Sequence, residues 1–198
     1  MMQKASLKTL ILWFTPVLLL AGPFLKAQDN TNPTAIKSLT KIRLTLFGVG
    51  VEREQKIAPL KSVYVGASYS AIFPFESRYL RAGRAPDIPM LNNILAVTPV
   101  FYAGFRSYNF TKRKEKNKNT ANNSADYVGF KVDGILPSKS PNGDYKTLFA
   151  MSVAAHWGMQ RSLSKKLNFE FAFGPAIKTD FEATRFVPFS KLGLTFLL

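Results

Sequence analysis

The residues best suited to chemistry in this chain are its single histidine, His156, and the nearby Glu170. They lie on two alternating segments, TLFAMSVAAHWGMQR and LNFEFAFGPAIKTD, joined by a short polar stretch. A tight turn over Ser162, Leu163 and Ser164 would set His156 directly opposite Glu170 on an antiparallel pair. A histidine beside a carboxylate can serve as base and orienter for a serine nucleophile. Here the serine is badly placed: two residues after His156 stands Gly158, and the same-face Ser152 comes before the histidine. The expectation is a structural hydrogen bond or ion pair. A lipid-modifying hydrolase built on His156 and Glu170 is the alternative.

Other chemistries lack their residues. There is no cysteine, so disulfides, thiolate catalysis and most zinc sites are excluded, and one histidine cannot make a polyhistidine metal centre. No glycine-rich phosphate loop, dinucleotide fingerprint or metal-spaced carboxylate cluster is present, so no metal and no cofactor is expected. Gly48 and Gly50, in FGVGVE, read as small residues on a crowded strand. The run TKRKEKNKNTANNSAD holds Lys112, Arg113, Lys114, Lys116 and Lys118 against Glu115 alone. Such a block suits an anionic neighbour such as lipid phosphate or a cell-wall polymer, but like-charge runs are usually solvated turns. The formal charge of +15 would also fit nucleic acid, which the leader described below argues against.

The elements that must position these residues are strands. Period-two alternation dominates, and helical periodicity is poor. In LNFEFAFGPAIKTD the odd positions are Leu167, Phe169, Phe171, Phe173, Pro175 and Ile177, and the even ones include Glu170 and Lys178. Similar segments are KSVYVGASYSAIF, LAVTPVFYAGFRSYNF, DYVGFKVDGIL and SKLGLTFLL. IRLTLFGVGVE reads as a less regular first strand. One face of these strands is bulky and aromatic. The other is small and polar and carries Arg43, Arg106, Lys131, Asp133, His156, Glu170, Lys178 and Lys191.

Burying so many charges in a soluble core is costly. In a small membrane barrel they can pair inside while the bulky face meets lipid. Short or basic connections, EREQKIAPLK and QRSLSKK, alternate with the longer stretches PFESRYLRAGRAPDIPMLNN, PSKSPNGDYK and TDFEATRFVPF, as in such barrels. The expected fold is all-β, an antiparallel up-and-down transmembrane barrel. Seven strands are legible and eight are expected, with the eighth in residues 35–40, 77–93 or 181–189. A soluble periplasmic barrel that binds an apolar ligand is a further alternative; it needs the aromatic face inward.

The N-terminus has a basic start, an apolar run TLILWFTPVLLLAGPFL and a small residue, Ala27, at a cleavage point. This is the pattern of a secretory signal peptide. Residues 1–27 are expected to be the leader, 28–40 a polar tail and 41–198 the barrel. Cleavage after Ala27 would leave a formal charge of +12.

The stretches YAGFRSYNFTKRKEKNKNTANNSADYVGFKV and HWGMQRSLSKKLNFEFAFG resemble a family of small outer-membrane barrels of Bacteroidetes. The shared features are a tyrosine-rich strand, a basic turn, an Asn-Thr-x-Asn-Asn-Ser-like element, and a tryptophan-glycine hairpin with an arginine and a short turn. The resemblance implies a location in the outer membrane of a Gram-negative bacterium and no biochemical activity. The expected partners are outer-membrane lipids, lipopolysaccharide and the barrel-insertion machinery, with no nucleic acid, and the expected state is a monomer. Many such barrels end in Phe or Trp; this chain ends in Leu198, with the aromatic at Phe196. A non-enzymatic structural or adhesive protein would act through loops Phe75–Asn92 and Pro137–Lys146.

Overall fold

The computed structural model describes residues 35–46, 48–72, 96–139 and 146–198. The expected leader, the loop Phe75–Asn92, the strand candidate at 77–93 and the centre of the loop Pro137–Lys146 lie outside these residues. Eight antiparallel strands close into a barrel. They are β1 (Leu39–Thr45), β2 (Gly48–Ala58), β3 (Lys61–Ile72), β4 (Ala96–Asn109), β5 (Asp126–Ile135), β8 (Ala150–Ser162), β9 (Leu167–Thr179) and β10 (Thr184–Leu197). The two-residue strands β6 (Ser138–Lys139) and β7 (Lys146–Thr147) form a small separate sheet. Every barrel strand pairs with its neighbours in sequence, and β10 closes on β1, which is up-and-down topology.

The eighth strand lies in none of the three expected places. IRLTLFGVGVE is not one strand: β1 ends at Thr45 and β2 begins at Gly48, with Thr45 paired to Gly48 across the turn. EREQKIAPLK, read above as a connection, is largely strand β2. The signal is a phase change: Leu44 and Leu46 face outward at even positions, and Val49 and Val51 face outward at odd ones. A two-residue turn reverses the chain and shifts that parity. TDFEATRFVPF is likewise mostly strand. Its turn is only Asp180–Ala183, where the Asp180 carboxylate accepts hydrogen bonds from the Glu182 and Ala183 N–H groups. The Ala183 bond chiefly holds the Asp180 pKa below its ordinary value.

Proline misled the reading of β10. Pro188 sits in the strand opposite Pro175. The Leu192 carbonyl, on the same edge of β10 as the Pro188 nitrogen, accepts from Leu46 N–H, so that edge faces β1. β1 pairs only with Gly193–Leu197, so the donor that Pro188 lacks would have no β1 partner. Pro175 instead falls where the β8–β9 pairing skips from Ala154–Ala176 to Trp157–Phe173.

The stagger is large. Successive cross-strand partners Arg185, Lys178, Ser152, Asp133, Tyr102, Gly66, Glu52 and Lys41 lead round the barrel to Leu197. One circuit therefore returns to β10 twelve residues along from Arg185. For eight strands this implies a tilt of about 45°, at the steep end of the usual range.

Alternation then assigns the faces. In β8 Ala150, Ser152, Ala154, His156, Gly158 and Gln160 point inward, and Met151, Val153 and Trp157 point outward. Val65, Phe101, Phe130, Phe173, Ile177 and Phe186 also lie on the outer face. Inside, large rings sit opposite glycines. Gly66 pairs with Tyr102, Gly104 with Tyr64, Gly158 with Tyr127 and Gly129 with His156. A Cβ at Gly66, Gly104 or Gly158 would overlap the opposing tyrosine ring. The glycines thus leave the room that the rings fill.

Gly158→Val is expected to cost about 1–3 kcal/mol by overpacking against Tyr127. Gly134→Val is expected to cost far less, since a Cβ there meets only the Phe101 carbonyl at 3.9 Å. Equilibrium unfolding in urea compares the two.

Candidate functional site

The barrel interior is organised around one guanidinium. Arg106, on β4, stands opposite Ser62 on β3 and Gly129 on β5, small residues that leave it space. Its Nη1 lies 2.9 Å from Glu52 and 3.2 Å from Glu54, and its Nη2 lies 3.3 Å from Glu170. Its charged end stacks 4.0 Å from the centre of the Tyr64 ring. Arg106, Glu52, Glu54 and Glu170 are all buried.

Further donors complete the carboxylates. Glu54 receives Lys41 at 2.6 Å, the Ser62 hydroxyl at 2.6 Å and the Tyr108 hydroxyl at 2.5 Å. Glu52 receives Arg43 at 2.6 Å, and Arg43 also donates to the Tyr102 oxygen at 2.9 Å. Glu170 receives Lys191 at 2.6 Å and the Tyr127 hydroxyl at 3.0 Å. Lys131 and Asp133 form their own pair at 2.5 Å, with the Lys131 ammonium 4.7 Å from the Tyr102 ring centre. Lys178 is buried near the top of β9, opposite Ser152. All eight polar residues singled out from alternation point inward. Arg43, Arg106, Glu170 and Lys191 join one network, and Lys131 pairs separately with Asp133.

The His156–Glu170 pair does not form. The turn is Leu163–Lys166, with Leu163 and Ser164 N–H both donating to the Leu167 carbonyl, so the register moves and Glu170 faces Gln160. His156 instead packs between rings, edge-on to Tyr127 at 5.9 Å and tilted against Phe189 at 5.0 Å. This geometry holds no base and orienter, and His156 reads as an aromatic filler. The alternation reading missed Lys41, Glu52 and Glu54. Lys41 opens the expected barrel with no role of its own, Glu52 closes the expected first strand and Glu54 falls in the expected connection; the parity change at Leu46 is the signal that relates them. Among the described residues no group of three or more His, Cys, Asp or Glu side chains could hold a metal ion.

The barrel end that carries the chain's C-terminus is closed. After β4 come a short helix α1 (Thr111–Glu115) and a helical turn Ala121–Asn123. Asn122 and Asn123 adopt left-handed backbone, at φ 54° and 59°, a region that asparagine tolerates better than most residues. The Asn122 carbonyl accepts from Gln160 Nε2 at 2.6 Å and Asn168 Nδ2 at 3.0 Å, which draws it into the barrel mouth. Asn123 exchanges two hydrogen bonds with the Lys37 backbone. Ile36, Phe110, Ala125, Tyr108 and Tyr127 pack beneath. The Asn-Asn-Ser element is therefore a stopper, and part of the expected loose tail, from Ile36, is docked. Of the basic run, Lys114, Lys116 and Lys118 are exposed, and Arg113 is tied to the Asn119 carbonyl at 2.6 Å. Nothing is described of the Lys112 side chain.

The opposite end holds a cavity of about 270 Å³. Arg43, Lys131, Lys191 and Tyr102 line it together with Gly48, Gly50, Ser68 and Ser70. No family model, curated protein or solved structure matches this chain.

Arg106→Met should destabilise the barrel by about 3–5 kcal/mol, because it takes the shared cation from three buried carboxylates and leaves each with fewer charged partners. Asn123→Ala removes two hydrogen bonds and is expected to cost about 1–3 kcal/mol. Thermal unfolding measures both, and an Arg106→Met barrel as stable as the wild type would refute the shared-hub assignment.

Proposed function

We propose that this chain is an integral β-barrel of a Gram-negative outer membrane, non-enzymatic and non-conducting, with a structural or surface-interaction role. One observation carries the reading: the polarity of the wall is inverted. Charged and tyrosine side chains fill the inside, and Val, Leu, Ile and Phe cover the outside. Isolated exposed apolar residues are ordinary, but a continuous apolar wall needs a partner, and lipid supplies one around a full barrel. Strands of 11–14 residues, as in β2, β3, β4, β8, β9 and β10, are long enough at this tilt to cross a bilayer.

The expected partners are outer-membrane lipids, lipopolysaccharide and the insertion machinery, with no nucleic acid and no second copy of the chain. The resemblance to Bacteroidetes barrels agrees with this location, after leader cleavage near Ala27. On this reading the closed end faces the periplasm, and the basic turn is a solvated element there. The Asn122 stopper and the Arg106 network argue against a continuous water path. The soluble carrier has no support, because the aromatic face lies outside. The lipid hydrolase loses its pair to the register of β8 and β9.

Detergent-extracted protein should run at different apparent masses boiled and unboiled, and should come from the outer-membrane fraction. A soluble periplasmic protein with no shift would overturn the proposal. Val65→Arg, mid-wall on the outer face, should cost about 2–4 kcal/mol in a bilayer, the depth-dependent cost of a lipid-facing cation. A near-neutral effect would count against lipid contact. In planar bilayers no open-channel steps are expected, and regular steps would refute the non-conducting part alone.

A further inference from the structure

We infer that the upper barrel cavity is a binding site for an anionic amphiphile, with its headgroup in the lumen and its acyl chain leaving sideways through the wall. The inference rests on the outer-membrane reading and assigns a ligand class to it.

The wall is incomplete at the loop end. β1 pairs with β10 only from Thr45–Gly193 to Lys41–Leu197, and one further bond joins Leu46 N–H to the Leu192 carbonyl at 3.3 Å. β10 continues to Thr184, paired along that length with β9. Among the described residues no strand pairs with the other edge of Thr184–Lys191. β1 and β2 meet at Thr45–Gly48, so the described strands of this hairpin stop at the level of Gly193 on β10. The result is a notch beside the upper half of β10.

The cavity opens through this notch. Its lining combines inward residues, Arg43, Lys131 and Lys191, with outward ones, Leu46, Phe171 and Leu192. A second, apolar groove of about 280 Å³ continues down the outer wall and shares Thr45, Leu46 and Leu192 with the first. It adds Leu44, Phe169 and Leu194. A cationic chamber is thus continuous with a lipid-facing apolar channel.

The chamber suits an anion. Three cations and the Tyr102 ring line it, and no carboxylate does. Their acidic partners, Glu52, Asp133 and Glu170, sit behind them. Donors remain: each lysine ammonium has three N–H groups, and its ion pair with Asp133 or Glu170 takes only part of them. The volume matches roughly nine liquid waters, room for a carboxylate or phosphate with its first few backbone atoms. Gly48, Gly50, Ser68 and Ser70 keep that space open. A fatty acid and a phosphate-headed single-chain lipid share this chemistry.

The test uses the full mature chain in phosphatidylcholine nanodiscs, with its fold checked by the heat-dependent mobility shift. Binding of fluorescent cis-parinaric acid is measured and then competed with oleic acid, oleoyl lysophosphatidic acid and neutral monoolein. Saturable binding is expected, with either anionic competitor stronger than monoolein by about tenfold or more, the worth of one charge-assisted hydrogen bond. The stronger of the two names the headgroup. Lys131→Gln should reduce that preference. Ser68→Phe, which fills the chamber, should abolish saturable binding and keep the mobility shift. Equal competition by monoolein, an unchanged preference in Lys131→Gln, binding that persists in Ser68→Phe, or no saturable binding to inserted protein would overturn the inference alone. A chain that neither inserts nor shows the shift would overturn the outer-membrane reading and this site with it.

Discussion

Three buried carboxylates share the guanidinium of Arg106, and the rest of the barrel is arranged so that they can. Glu52 and Glu54 approach from β2 and Glu170 from β9, strands separated on both sides by others. Only a closed wall can bring these together. Charges taken from water need partners with good geometry, or the structure loses several kcal/mol at each one. Lys41, Arg43 and Lys191 complete the charge balance, and Tyr108 and Tyr127 supply hydroxyl donors to the same carboxylates. The small residues follow from the same constraint. Ser62 and Gly129 flank Arg106, and Gly66, Gly104 and Gly158 make room for the tyrosine rings.

The network divides the molecule along its axis. Toward the end where β10 finishes, the space is filled by Ile36, Phe110 and the Asn122–Asn123 turn, a plug held by hydrogen bonds to several strands. Toward the loop end the filling by described residues stops at Arg43, Lys131 and Lys191, and these line a chamber. The steep stagger sets a wide enough circumference to hold both the ladder of ion pairs and that chamber, because strand number and stagger together fix barrel size. A barrel closed at one end and hollow at the other among its described residues is a cup, a form suited to holding something at its open end.

His156 shows how far residue type can mislead. A lone histidine and a nearby glutamate on adjacent strands make a plausible dyad on paper. The β8–β9 turn is centred two residues further along the chain than that pairing needs, which moves the register by four and places Gln160 opposite Glu170. The carboxylate then serves Lys191, Arg106 and Tyr127, and the imidazole serves the packing of Tyr127 and Phe189.

Alternation alone determined which side chains share a face in most of the chain, because a pleated strand has a fixed period of two. It was enough for the all-β class, for the barrel and for grouping the residues from Arg43 to Lys191 on one face. It failed wherever the phase or the ends of a strand depended on a partner. Glu54 reads as a loop residue and Glu52 as the end of a strand until β2 is paired with both β1 and β3, and TDFEATRFVPF reads as a loop until β10 is seen paired with β9 along Thr184–Phe189. The tertiary structure also decided which face is inside, that Arg106 is the hub, that the Asn-Asn-Ser turn is a stopper and that β1 pairs with β10 only along Gly193–Leu197. These depend on register between strands and on closure round the barrel. A pattern along one strand carries its own period but not the offset of its neighbours, and that offset is what brings residues distant in sequence within hydrogen-bond reach.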